Sequence, residues 1–268
     1  MKKTRIRELR KDIKAAVRLG HPESVEMALD GLRSLPQVAA NDRLGAGFIE
    51  QVILPNAQIM ARLPAVRIQQ MTKDSLTALR AVGAAALAKR FLVENDVTVG
   101  MLRHAALDSR PEVRTAVGQI LREAGDAHPE RLLGLMGPWL RDSSPKVRCV
   151  ALGFAPALLP AYGEDVIEQI GPLGRDSHAD VRAALVDALQ EIAQAGFATS
   201  VWGLLADWVT ESPLNVWVLT RTVAGAWAAS NPRKAQSILG DIYSKIGETK
   251  DVGIALRSLK RHGVDIEF

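Results

Sequence analysis

A single cysteine, Cys149, stands in 268 residues, so no disulfide can close within the chain and a reducing, cytoplasmic setting is the expectation. Long apolar runs are missing: no stretch approaches the roughly 18 residues of a membrane span. The segment MKKTRIRELRKDIK has no apolar centre, unlike a secretory signal. It carries Glu8 and Asp12 and no Ser, unlike an organelle transit peptide. The five histidines, His21, His104, His128, His178 and His262, never pair with one another or with a second ligand at metal spacing, which excludes the usual zinc motifs. G-x-S-x-G, Walker and G-x-G-x-x-G patterns do not occur. Cys149 has no histidine near it in sequence to activate it as a nucleophile. The expectation is a protein without catalytic residues, metal or cofactor.

Positive charge is scarce where a nucleic-acid-binding surface would need it. The net charge is +4, but residues 1–20 hold eight Lys or Arg against two acids. Residues 21–140 balance, and residues 141–268 carry 13 bases against 15 acids. The basic balance therefore belongs to the first segment and not to the body of the chain. In that segment Ile6, Leu9, Ile13 and Val17 fall on one helical stripe. It reads as a cap that docks on the rest of the chain, with binding to a nucleic-acid backbone or an anionic membrane surface as the alternatives.

What the sequence has is a recurring heptad. Four copies, Asp-Ser-Leu-Thr-Ala-Leu-Arg, Asp-Ser-Arg-Pro-Glu-Val-Arg, Asp-Ser-Ser-Pro-Lys-Val-Arg and Asp-Ser-His-Ala-Asp-Val-Arg, are followed by Glu-Ser-Pro-Leu-Asn-Val-Trp. Asp74, Asp108, Asp142 and Asp176 are spaced by 34 residues, and Glu211 follows after 35. Leu79, Val113, Val147, Val181 and Val216 stand five residues beyond, and Arg80, Arg114, Arg148 and Arg182 six beyond, with Trp217 at the last copy. Self-similarity at such a period marks a repeat architecture. Pro111 and Pro145 sit where a first helical residue belongs. Behind them Val113, Val117, Ile120, Leu121 and Ala124 make one apolar stripe, as do Val147, Ala151, Phe154 and Leu158, and Val181, Leu185, Ala188, Leu189 and Ile192. A second helical stretch leads up to each following Asp, and no β-branched alternation is seen, so the fold class is all-α. The Asp suits the turn, where its carboxylate accepts backbone N–H groups. The Arg suits a ladder reaching the Asp of an adjacent unit, with a basic groove that reads phosphate as the alternative for Arg80, Arg114, Arg148 and Arg182.

Asp-x-x-x-x-Val-Arg at a 34-residue period resembles the HEAT-repeat family, over residues 64–217 and onward to 262. The tetratricopeptide repeat shares the period but not the pattern of residues. The resemblance implies a right-handed α-solenoid of HEAT-like helix pairs. It would run as one domain over 1–268, with a basic N-terminal helix and degenerate repeats in 1–63, clear repeats in 64–231 and a C-terminal capping pair in 232–268. Within these, residues 22–35, 43–62, 232–246 and 250–262 read as helical, with breaks at Pro36, Pro55 and Pro64. The family implies a non-catalytic scaffold that recognises a protein partner on a concave face lined by the second helices. One departure from the family is that Pro138 and Pro172 lie four residues before their Asp, so those first helices are expected to end early or kink.

Four of the five tryptophans lie between 202 and 227. On the repeat register Trp139, Trp202, Trp208 and Trp227 fall at apolar core positions. Trp217 does not: it takes a ladder-Arg position, and Arg221 follows one turn later on the same face, at the spacing of a cation–π pair. Trp217 and Arg221 are the candidate binding residues, with packing at the end of the ladder as the plain alternative. The segment NVWVLTRTV is also loosely similar to HEAT-like DNA-alkylation-repeat glycosylases, which implies nucleic acid as an alternative partner. Those enzymes place a catalytic Asp one turn after a Trp, and no Trp-x-x-x-Asp occurs here, so glycosylase activity is not expected.

Overall fold

The computed structural model describes residues 11–13, 15–16, 18–34, 54–94, 97–211 and 215–266, and all regular elements among them are helical. The chain packs as two compact units, Met1–Leu132 and Leu133–Phe268. No helix among the described residues is long and apolar enough to cross a membrane.

The first unit contains α1 (Pro22–Asp30), α2 (Leu54–Met60), α3 (Ala65–Met71), α4 (Thr77–Phe91), α5 (Val97–Ala106) and α6 (Pro111–Glu123); α7 (Pro129–Leu140) begins in it. Helix α4 is its centre and packs against α2, α3, α5 and α6. Its sequence, TALRAVGAAALAKRF, explains how one helix accommodates so many neighbours. Ala78, Ala81, Ala84, Ala85, Ala86 and Ala88 have no exposed surface at all, because small side chains let other backbones close in from every side. At Gly83 a Cβ would lie 2.7 Å from the Met71 Cβ and 3.0 Å from the Thr72 amide nitrogen. Only glycine permits that approach of α3.

The second unit holds α8 (Pro145–Phe154), α9 (Glu164–Ile170), α10 (Ala179–Ile192), α11 (Ala198–Thr210), α12 (Val216–Val223), α13 (Pro232–Ile246) and α14 (Lys250–Arg261). Two rows of neighbours result. In one, α9 touches α11 and α11 touches α13; in the other, the second-helix row, α8 touches α10, α10 touches α12 and α12 touches α14. The apolar stripes of the second-helix row are buried. Val147, Ala151, Phe154, Leu158, Val181, Leu185, Leu189 and Ile192 have no exposed surface, as expected of apolar stripes covered by neighbouring helices.

Proline positions show where local chemistry sets the boundaries. Pro111, Pro145 and Pro232 each occupy the first helical turn, where the missing N–H has no intrahelical partner to lose. Pro172 follows the end of α9 at Ile170 and opens a 3₁₀ turn, Gly171–Arg175. Pro138 instead lies inside α7, which stops at Leu140. Pro55 is the second described residue of α2, and the residues before Leu54, where the expected break would show, lie outside the described residues. Pro64 precedes α3 as its N-cap, and Pro36 is outside the described residues. In the basic first segment, residues 11–13, 15–16 and 18–19 are helical, with Ile13 and Ala16 buried and Leu19 exposed. Ile6, Leu9 and Val17 lie outside the described residues.

Candidate binding site

The four Asp heptads build one local device. Each carboxylate accepts the backbone N–H two residues ahead, Asp74 from Leu76 at 2.7 Å, Asp108 from Arg110 at 2.9 Å, Asp142 from Ser144 at 2.8 Å and Asp176 from His178 at 2.8 Å. These are Asx turns that hold the N-cap residue, and the Asp itself is not the cap. Behind them the arginines fold back: Nη1 of Arg114, Arg148 and Arg182 donates to the carbonyl of its own heptad Asp, at 2.7, 2.7 and 2.8 Å. Each therefore clamps the turn that precedes its own helix. Arg80 donates from Nε to the Thr72 carbonyl at 3.0 Å.

Within each unit an Arg also reaches the next Asp. Arg80 Nε lies 2.8 Å from Asp108 Oδ2 in the first unit. In the second, Arg148 Nε lies 2.7 Å from Asp176 Oδ2, and its Nη2 donates to Oδ1 at 3.0 Å. The Nε contact is an ion pair without hydrogen-bond alignment, so the directional bond is the one from Nη2. Asp176 and Arg148 are only 7% and 13% exposed. Two further links come from outside the heptad pattern. Arg33, in the 3₁₀ turn Gly31–Ser34, pairs with Asp74 at 2.5 Å and Asp30 at 2.7 Å. Its hydrogen bonds, to Asp74 first and Asp30 second, raise the guanidinium further above its ordinary value. Glu211 of the fifth heptad pairs with Arg175 at 2.7 Å, close to the surface.

The tryptophans divide sharply. Trp139, Trp202, Trp208 and Trp227 are buried. Trp202 and Trp227 pack with ring centroids 4.5 Å apart and planes tilted by 48°, and Trp139 meets Phe154 edge-on at 6.3 Å. Trp217 is half-buried, and the Arg221 guanidinium carbon lies 5.8 Å from its ring centroid. That pair lines a cavity of about 370 Å³ shared by three consecutive helices of the second-helix row. Each contributes residues at i, i+4 and i+7: Ala183, Asp187 and Gln190 from α10; Trp217 and Arg221 from α12 with its C-cap Ala224; Ile254, Ser258 and Arg261 from α14.

Helix α12 is short, eight residues against 14 in α10 and 12 in α14. An early stop exposes the last carbonyls of a helix, and here neighbouring side chains satisfy them. Gln190 donates to the Arg221 carbonyl at 2.8 Å, Trp227 Nε1 to Thr222 at 3.1 Å and Ser258 to Ala224 at 2.7 Å. At the other end Asn215 accepts the Val218 N–H at 3.3 Å and donates to the Gly174 carbonyl at 2.7 Å. A Cβ on Gly225 would come within 2.7 Å of the Trp227 ring and 2.9 Å of the Gln190 side chain, so the tight exit from α12 requires glycine. The floor of the cavity is therefore rigidly braced while its rim carries charge.

Arg221 is the unusual group in it. Its Nε is sealed from solvent without an acceptor, and no carboxylate among the described residues forms an ion pair with it. The sequence marks Trp217 and Arg221 but not Asp187, Gln190, Ile254, Ser258 or Arg261. Those join the site through stacking of helices some 30 to 40 residues away, and only the i, i+4, i+7 continuation from Trp217 to Ala224 was available as a signal. Among the described residues no group of three His, Cys, Asp or Glu is placed to hold a metal. Compared with known proteins, the chain matches no family model and no curated protein.

Proposed function

We propose that the chain is a HEAT-like α-solenoid of 34-residue helix pairs that acts as a non-catalytic binding scaffold, recognising a protein partner on the face formed by its second helices. Support for the architecture comes from the rows of neighbouring helices in the second unit and from the repeated Asx turn with its folded-back Arg. The observation that carries the function is the half-buried Trp217–Arg221 pair in a braced cavity. Trp and Arg are the residue types that dominate binding energy at protein interfaces when they occupy such hollows. The remaining heptad residues, Asp74, Arg80, Asp108, Arg114, Asp142, Arg148, Asp176 and Arg182, serve the turns and joints of the fold.

The test is a pull-down with the tagged chain and its Trp217→Ala variant. The variant is expected to lose the captured partner while its melting temperature stays within a few degrees. Retained capture overturns the assignment of the site.

Nucleic acid is the second reading, favoured by the eight Lys or Arg of residues 1–20. Fluorescence anisotropy with duplex and single-stranded DNA at two salt concentrations tests it. Phosphate contacts must weaken steeply with salt, and absence of binding at low salt removes this reading.

A further inference from the structure

We infer that the Trp217–Arg221 cavity takes an acidic side chain of a peptide segment, a Glu or Asp flanked by apolar residues. The inference rests on the assignment of this cavity as the partner site and adds the chemistry of what enters it.

Its basis is a comparison of arginines. Arg80, Arg148 and Arg175 each have a carboxylate in contact. Arg221 has none among the described residues, although its Nε is sealed from solvent without an acceptor. The Arg221 guanidinium carbon lies 5.8 Å from the Trp217 ring centroid and both side chains line the cavity, and a guanidinium is the side-chain group best matched to a carboxylate. A carboxylate entering the cavity from outside the chain would supply the ion-pair partner that Arg221 lacks among the described residues. Ala183 and Ile254 line the same cavity and give it apolar surface beside the charge.

Asp187, exposed on the neighbouring helix, lines the same cavity and bears on the kind of anion. Its carboxylate can accept a peptide N–H, and it repels a doubly charged phosphate more strongly than a singly charged carboxylate carried on a backbone. A nucleic-acid strand also needs a file of free cations, and along this chain the heptad arginines Arg80 and Arg148 are already neutralised by Asp108 and Asp176.

The experiment uses the full chain and fluorescein-labelled, C-terminally amidated octapeptides. Two pools share the same mixture of apolar residues around a fixed central Glu or Gln, and a third carries phosphoserine there. Anisotropy titrations are expected to show the Glu pool binding at least tenfold more tightly than the Gln pool. The preference should disappear in Arg221→Gln and be partly kept in Arg221→Lys. Asp187→Asn should raise affinity for the phosphoserine pool selectively. Equal binding of the Glu and Gln pools by the unaltered chain, no binding of either, or a preference for phosphoserine would each overturn the inference, and none of these depends on a variant folding. If Trp217→Ala abolishes partner capture while the Glu and Gln pools bind equally, the partner site stands and its acidic specificity falls. If Trp217→Ala leaves capture intact, the site itself falls.

Discussion

Replacing Asp176 by Ala removes the most enclosed joint of the second unit. Asp176 holds the His178 N–H at 2.8 Å and the Arg148 Nη2 at 3.0 Å, with a further ion contact at 2.7 Å. A neutral turn hydrogen bond contributes about 1 kcal/mol, and a bond to a charged partner about 2 kcal/mol. Arg148, 13% exposed, would retain its charge without the carboxylate, and breaking a buried pair from one side typically costs roughly 3–5 kcal/mol. The carbonyls of Asp142 and Ser143 continue to solvate its Nη1 at 2.7 and 3.2 Å, which places the expected loss near the low end, about 3 kcal/mol. In a protein of this size that lowers the melting temperature by roughly 6–12 °C. The control is Glu211→Gln, which breaks a pair whose members are 34% and 60% exposed and should cost at most about 1 kcal/mol. Circular dichroism melts of the two variants read the difference directly. Equal losses would refute the argument that burial, and not the ion pair as such, makes the heptad Asp structural.

Other perturbations bear on the same frame. Gly225→Ala forces a methyl group into the Trp227 ring and Gln190 and should cost about 1–3 kcal/mol in urea unfolding. Trp202→Ala empties one side of the closely packed Trp202–Trp227 pair and should cost about 3–5 kcal/mol. Asn215→Ala removes the cap on the Val218 N–H and the bond to Gly174, a loss of about 1–2 kcal/mol in the same assay.

The helices were legible in the sequence for a physical reason: their apolar stripes recur behind turn residues whose chemistry is local. Pro232–Ile246 and Lys250–Arg261 follow from such signals, a proline in the first turn and a Thr249 side chain accepting the Val252 N–H. The Asp heptads were equally legible as turns. Which backbone group each Asp would take was not, since an Asx turn and an N-cap differ by a shift of two residues that composition does not resolve. Proline positions were less legible, because proline breaks a helix interior but is tolerated near its ends: Pro138 lies inside α7, followed by only two more of its residues, whereas Pro172 follows the end of α9. The cavity was legible only along its middle helix. Trp217 and Arg221 lie one turn apart on α12, whereas Asp187, Ser258 and the braces from Gln190 and Trp227 depend on how α10, α12 and α14 align.

The measurement that bears most directly on the central claim is the melting temperature of Trp217→Ala set beside that of Trp202→Ala. Trp202 is 3% exposed, and its loss should lower the transition by roughly 6–20 °C, from about 3–5 kcal/mol at about 2–4 °C per kcal/mol. Trp217 borders an open cavity, and its loss should lower the transition by no more than about 4 °C. Comparable losses in the two variants would show Trp217 to be part of the core and contradict its assignment to a binding surface.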